Sequence, residues 1–490
     1  MPGVIAAGHP VTAQAGADVL RDGGNAVDSA VAAMLASFVA EPLLTGLGSG
    51  GYMLVAGQGQ EPVLLDFIVE VPGRNGVTER APLRAVEVSF GDAVQSFHVG
   101  PSSAGIYGAP AGVFEANRRY GSVSLAELAA RAIELAEQGV EVTSQQAYLF
   151  EILAPIITTG PECSASYFPR GRPPRAGEVL ALPELAQGIA LLAEEGPAPF
   201  YTGEVAAGVV ALLESLGGVV SAEDLAAYEV VTRTPLQVPF RDRVVLTNPP
   251  PSAGGVLLAY ALSLLQREAP GASPEGLVAV MQAAQAERTP EFLSGLDRPG
   301  FADCFMTNRL GSTTHISVLD SNGLACSVTC TNGEGSGVVV PGTGLHLNNM
   351  LGEEDLSPLG FFTHPPGRRL PSMMAPTLVL GPDGDPELVL GSAGSNRIRS
   401  ALLQVILNAI DGGLDIEQAV KQSRLHFEQG VVYVEPGIEL GGLEQAGYEI
   451  ARFRAPNLFF GGVQAVRKDG RSGRLSGAGD PRRGGVALAA

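Results

Sequence analysis

The strongest local constraint in this chain is Asn322-Gly323, set between two runs with apolar alternation, Thr314-His-Ile-Ser-Val-Leu319 and Ala325-Cys-Ser-Val-Thr-Cys330. Asn-Gly in that setting predicts a tight β-hairpin, because both residues accept the positive φ that a two-residue loop needs. With those two as the loop, Ser321 faces Leu324, and counting outward places Thr331 opposite Thr314, one residue from Thr313. Two hydroxyls then meet at the open end of one ribbon.

Upstream the chain is helical and rich in small residues. Thr12 to Asp22 reads as a helix stopped by Gly23-Gly24, and Asn25 caps a second that runs to about Ala40, with Asp28 completing a capping box. This second helix is apolar on nearly every side, which predicts burial within a layered structure. Gly46-Leu-Gly-Ser-Gly-Gly51 matches the dinucleotide pattern GxGxxG in letters only. A helix precedes it and the strand Tyr52-Met-Leu-Val55 follows, the reverse of a Rossmann turn, so close backbone packing is the expected role.

Capping boxes at Ser124 and Ser221 open further helices, and the stretch from Gly160 to Gly177, rich in Pro, Gly and Arg, is expected to be a surface loop. After Thr313 the texture turns to β. Thr377 to Leu380 and Glu387 to Leu390 read as strands, and the turn Gly391-Ser-Ala-Gly-Ser-Asn396 enters a helix from Arg397, presenting NH groups to an anion.

Composition removes several classes of function. A net charge of −20 argues against nucleic acid or anionic membrane as partner. The amino terminus shows neither a signal peptide nor a membrane span, so a cytoplasmic location is expected. Cys163, Cys304, Cys326 and Cys330 have no zinc spacing and are expected to be reduced and structural. No metal or cofactor is expected, and the scattered histidines offer no ligand set.

Ordered matches along almost the whole chain resemble the γ-glutamyltransferase (glutathione hydrolase) family of N-terminal nucleophile hydrolases. They include Asp22-Gly-Gly-Asn-Ala-Val-Asp28, Gly46 to Leu54, Pro249-Pro-Pro-Ser-Ala-Gly-Gly255, Thr313-Thr-His-Ile-Ser-Val318, Leu347-Asn-Asn349, Ser372-Met-Met-Ala-Pro-Thr377, Gly391-Ser-Ala-Gly394 and Gly477-Ala-Gly-Asp-Pro-Arg482. The resemblance implies an α+β fold, an αββα four-layer sandwich, built from both fragments of a precursor that cuts itself between Ser312 and Thr313. Residues 1–312 form the large fragment and 313–490 the small one, and the two stay associated. The new amino group, with a pKa of about 7.7–8.0, serves the Thr313 hydroxyl as its own general base. One residue supplies both nucleophile and base.

The same resemblance makes Thr331 the hydrogen-bond partner of the nucleophile and puts the oxyanion hole at Gly394 and Ser395, where the family has a second glycine. Ser372, Asn349, Glu353 and Asn332 fall at donor-binding positions. His315, two residues from Thr313, is expected to fill a structural hydrogen-bonding role.

Other donor positions depart from the pattern. Ile68 stands where the family has the arginine that pairs with the donor's α-carboxylate, Gly333 where it has an asparagine, Met350 where it has a glutamine, and Met373 where it has a second serine. Isoleucine offers neither charge nor donors. Arg74 and Arg80, on a nearby loop, are candidates to replace the lost arginine. The short link from Glu353 through Pro358 to Leu370 leaves little room for a lid, so water is expected to prevail over an acceptor amino acid.

The expected activity is therefore hydrolysis of a small-molecule amide, with γ-glutamyl compounds such as glutathione as the first substrate to try. The alternatives are an acylase for a different amide with the same mechanism, and a catalytically silent scaffold of the same fold.

Overall fold

The hairpin forms, with its register one residue away from the expected one. Asp320, not Ser321, closes the loop: its NH donates to the Leu324 carbonyl, and its Oδ1 accepts from the NH groups of Asn322 (2.8 Å) and Leu324 (3.1 Å). This aspartate turn draws Ser321 into the loop and leaves only Gly323 with positive φ, at 85°. Leu319 then pairs with Ala325 and Thr314 with Cys330, so one further step puts Thr331 opposite Thr313 itself.

The computed structural model describes residues 3–89, 94–268, 273–286, 313–354, 356–357, 360–394 and 396–490. Ser312, Ser395 and Cys304 lie outside the described residues. In chain order the sandwich begins with strand β1 (Gly3–Ala7), helices α1 (Pro10–Arg21) and α2 (Ala26–Ala40), strands β2 (Gly50–Gly57) and β3 (Gln60–Phe67), and helices α3 (Ala109–Tyr120) and α4 (Leu125–Gln138). It continues with strands β4 (Val231–Arg233), β5 (Leu236–Phe240) and β6 (Arg243–Thr247), helix α5 (Ala253–Glu268), and the hairpin strands β7 (Thr314–Asp320) and β8 (Ala325–Thr331). Strands β9 (Thr377–Leu380) and β10 (Pro386–Ala393), helix α6 (Arg397–Ile410), and strands β11 (Gly462–Lys468), β12 (Leu475–Ala478) and β13 (Val486–Ala489) complete it.

Two antiparallel sheets result, ordered β13-β1-β7-β8-β2-β3-β4 and β12-β11-β10-β9-β6-β5. Side chains of successive residues leave a strand on opposite faces, and the apolar clusters follow that alternation. Ile5, Met53, Ile316, Val318 and Val328 share one cluster with α1 to α4. Val4, Ala6, Tyr52, Leu54, Leu319 and Ala325 meet Leu246, Leu378, Val389 and Val466 of the other sheet. Val245, Val379, Leu388, Leu390 and Ala465 face away from it, against α5 and α6. Three apolar seams separate four layers in the order helix, sheet, sheet, helix.

Every residue of α2 is buried, as its lack of a polar face predicts. Asn25 and Asp28 form the expected capping box, and the turn of the hairpin ties on here through the Ala26 NH and Asp320 Oδ2 (3.1 Å). The glycines that follow α2 pack against backbone: a Cβ on Gly48 would lie 2.0 Å from the His346 carbonyl oxygen, and one on Gly51 2.3 Å from that of Thr329. The expected surface loop from Gly160 to Gly177 contains a short helix, Pro161–Tyr167. Proline at the first helical position gives up no hydrogen bond there and presets φ, so its presence did not exclude a helix.

The candidate active site

Odd-numbered residues of β7 and β8 face the seam between the sheets, and at one end that seam turns polar. His315 is buried, with Nδ1 2.7 Å from Thr329 Oγ1 and Nε2 2.9 Å from Ser317 Oγ, and burial pushes its pKa down to about 3. Both ring nitrogens are engaged within the seam, which is the structural role expected of it. Ser317 and Ser327 donate to the carbonyls of Gln464 and Leu390 on the facing sheet, each at 3.1 Å.

One pair further along stand Thr313 and Thr331, both buried. Thr331 Oγ1 accepts the NH of Gly333 at 2.9 Å. Thr313 Oγ1 is shielded from solvent and has no hydrogen-bond partner among the described residues. A buried hydroxyl without a partner sacrifices free energy, about 1–3 kcal/mol by the usual measure, and calls for an explanation. Gly394, at the end of β10, has φ of 118° and lies against Gly461, where a Cβ would be 2.7 Å from Cα. Its carbonyl accepts the NH of Arg397 at the start of α6, so strand and helix are joined through a turn that only glycine tolerates.

Asn332, Asn349 and Glu353 come together around Gly333. The NH of Asn349 donates to the Asn332 carbonyl (3.2 Å), and Asn349 Oδ1 accepts from the NH of Glu334 (3.0 Å). A Cβ on Gly333, whose φ is 60°, would lie 2.1 Å from Asn349 Oδ1 and 2.5 Å from Glu353 Oε1. The asparagine side chain of the family pattern thus has no room at this position. Ser372 belongs to a different set of bonds: its Oγ accepts from the Met374 NH (3.1 Å) and its carbonyl from Ser252 Oγ and the Gly254 NH at the start of α5.

The remaining altered positions are apolar and packed. Ile68 and Met350 share the intersheet cluster with Leu351, Leu370 and Met374, and Met373 packs with Ala253, Val256 and Leu257. Neither candidate arginine is available to replace the missing one. Arg74 is paired with Glu70 (2.8 Å) and lies near Asp224 (3.6 Å), while Arg80 stacks over the Phe362 ring. Arg369, which the sequence reading overlooked, is buried beneath Ile68, pairs with Glu70 (3.0 Å) and donates to the Ile68 carbonyl (3.0 Å). The short link after Glu353 returns to this segment, with the Gly367 and Leu370 NH groups bonded to the carbonyls of Val71 and Val69.

A cavity of about 260 Å³ opens beside Thr313, walled by Gly8 and His9 after β1, Glu41 to Leu44 after α2, Phe150, Ala393, Leu458 and Arg483. Glu41, also overlooked from sequence, is buried and accepts from Thr314 Oγ1 (2.9 Å) and Thr12 Oγ1 (3.2 Å). Burial raises its pKa to about 7, and Arg483 partly counters that rise. Among the described residues, no three His, Cys, Asp or Glu side chains gather in a metal-holding group.

Four layers in this order, with a hydroxyl residue heading a central strand, define the class of N-terminal nucleophile hydrolases. Residues 12–292 and 284–490 match the family model of gamma-glutamyltranspeptidase, and the chain belongs to that family, a family of enzymes. It is 30% identical to the glutathione hydrolase proenzyme of Escherichia coli strain K12, across 98% of this chain and 90% of that one. It is likewise 30% identical to the acylase ACY 1 proenzyme of Pseudomonas sp. strain SE83, across 97% and 91%. A crystal structure of cephalosporin acylase from Bacillus halodurans superimposes with a TM-score of 0.84 at 26% identity, covering 99% of this chain and 95% of that one.

Proposed function

We propose that the chain is a precursor cut between Ser312 and Thr313, and that Thr313 then hydrolyses amides through an ester intermediate. The Thr313 hydroxyl adds to the amide carbonyl carbon while its proton passes to the Thr313 α-amino group. Negative charge on the tetrahedral oxygen meets NH donors of the turn at Gly394, while Thr331 stands across from the nucleophile on the opposite strand. The proton then goes to the departing amine as the C–N bond breaks. Water attacks the ester, releasing the acid and restoring the threonine.

The observation that carries this reading is the buried Thr313 hydroxyl, without a partner, across from Thr331 in the hairpin register and beside a cavity. γ-Glutamyl amides, glutathione among them, are the first substrates to try, since the family points there and Asn349, with Asn332 and Glu353 beside it, stands at the donor-binding positions. That substrate would give the enzyme a part in glutathione breakdown, in the cytoplasm. A second reading has its own support: Ile68 and Met350 are packed in apolar core where a donor head would need polar partners, which favours an acyl group without an α-amino acid.

Intact mass and N-terminal sequencing of wild type beside Thr313→Ala test the proposal. The expected result is two wild-type fragments of 312 and 178 residues (490 − 312), the second beginning Thr313-Thr-His-Ile, and a single chain in the variant. One uncut chain in both samples would replace the enzyme reading with the silent scaffold.

A further inference from the structure

The turn at Gly394, which the mechanism proposed above sets against the oxyanion, is held from both ends. On the strand side it packs on Gly461, where a Cβ would lie 2.9 Å from the Ala393 carbonyl oxygen. Arg397 secures that side, its Nε donating to the Phe459 carbonyl at 2.8 Å. On the helix side the hold falls on Asn396, which is fully buried immediately before α6. Its carbonyl accepts from Arg399 Nε (3.3 Å), and its Nδ2 donates to Glu428 Oε1, at the end of the strand Leu425–Glu428.

An asparagine in that place ordinarily takes an extended backbone and caps the helix, its Oδ1 accepting an NH of the first turn. Asn25 does so for α2. Asn396 does not: its φ of −49° and ψ of −32° are helical, no NH of α6 bonds to its side chain, and its Oδ1 is buried without a partner among the described residues. Leaving a buried amide oxygen unbonded is unfavourable, so the side chain must be held where it is. The first-turn NH groups of α6 are thereby left uncapped by Asn396, next to the turn, where a developing anion can use them.

Glu428 is equipped to do the holding. A carboxylate only accepts, so His426 Nε2, 3.3 Å away, carries the proton. Burial pushes the His426 pKa down and keeps the ring neutral, so its Nδ1 accepts from Ser400 Oγ of α6 at 2.8 Å. Burial also works against a charge on Glu428, but the bond from His426 and the attraction of Arg397 and Arg399 outweigh it and hold its pKa down to about 2. Strand, helix and turn share one fixed anion.

From this we infer that Glu428 is a positioning residue for amide hydrolysis: by holding the Asn396 amide it keeps that side chain from capping α6, and so leaves the NH donors at the turn to the tetrahedral oxygen. It acts through Asn396 and not on substrate. The inference rests on the amide-hydrolase reading and adds to it a residue at one remove from the chemistry.

The test is kcat and KM for γ-glutamyl p-nitroanilide and pentanoyl p-nitroanilide, one for each branch of that reading, with rates expressed per cut chain from intact mass. Glu428→Ala releases Asn396 and is expected to lower kcat about 10- to 100-fold at unchanged KM, approaching the loss of one oxyanion donor. Glu428→Gln still offers Asn396 an acceptor and should stay within about threefold of wild type, whereas a role for the charge alone would sink both variants alike. Adding Asn396→Ala to Glu428→Ala deletes the side chain that would cap, and should recover at least about fivefold in kcat, which a general loss of structure would not allow. Asn396→Asp, repelled by Glu428 and a good cap, should lose kcat as Glu428→Ala does and needs no change at Glu428. Wild-type kcat in Glu428→Ala or Asn396→Asp, a loss confined to KM, equal losses in the alanine and glutamine variants, or a double variant no faster than Glu428→Ala each overturn the inference. A wild type that hydrolyses neither probe overturns the amide-hydrolase reading beneath it, whatever the variants do.

Discussion

The imidazole of His315 fills the space that any side chain on Gly391 would need: its Cε1 is 2.1 Å from where a Cβ would sit. The two residues belong to facing sheets, so the ring helps set the spacing at the polar end of the seam. Gly391→Ala must push the sheets apart or break the contacts of His315 with Thr329 and Ser317. A loss of about 1–3 kcal/mol is expected, as for other overpacked cores. Denaturant titration of wild type and variant measures it, and an unchanged midpoint would contradict the packing described.

Glu41 makes stability depend on pH. Its pKa rises from 4.5 to about 7 on burial, so the folded state holds the proton more tightly. Its contribution is whole below pH 4.5 and is lost as pH rises through about 7, in total roughly 3 kcal/mol. His315, held down to about 3, acts in the opposite sense, losing stability as pH falls from 6.5. The measurement is therefore a difference: Glu41→Gln should gain stability relative to wild type between pH 5 and pH 8. A constant difference across that range would show that Glu41 does not titrate there.

Thr331→Val keeps the volume and removes the acceptor for the Gly333 NH, 2.9 Å away. Fragment formation and amide hydrolysis should both slow by roughly 10- to 100-fold, equivalent to about 1.5–3 kcal/mol for a buried polar contact. Thr331→Ser should retain most of both. Rates of fragment appearance by mass spectrometry decide this, and equal rates for the valine and serine variants would count against any role for the hydroxyl.

Restoring the family arginine should not restore a γ-glutamyl site. Ile68 is fully buried in an apolar cluster, and the Arg369 guanidinium already bonds to its carbonyl. Ile68→Arg buries a second cation beside the first and should cost several kcal/mol, with low soluble yield. Soluble Ile68→Arg protein with new activity on γ-glutamyl p-nitroanilide would refute this account of the site.

Much of the architecture was legible in residue order. The full burial of α2 followed from its missing polar face, and the capping boxes at Asn25, Ser124 and Ser221 are all present. The hairpin was legible in kind but not in register, because Asp320 captured two NH groups and displaced the two-residue turn that Asn-Gly favours. The gathering of Asn332, Asn349 and Glu353 followed from resemblance, whereas their packing against Gly333 needed coordinates. Glu41 was missed for a physical reason: what distinguishes it is the water it has lost, and that is not written in a string of letters.

The order of strands in the two sheets has a consequence for the cut protein. β1 comes from before Thr313 and lies between β13 and β7, which come from after it; β8 pairs with β2, and β9 with β6, across the same divide. Severing the chain at Thr313 would therefore leave two polypeptides interleaved like the teeth of a zip, each completing ladders that the other cannot close alone. Such a pair should melt as one body and not come apart on dilution. Once melted it should not re-form by mixing, so maturation would be an irreversible commitment, with the covalent bond needed to reach the fold and dispensable for keeping it.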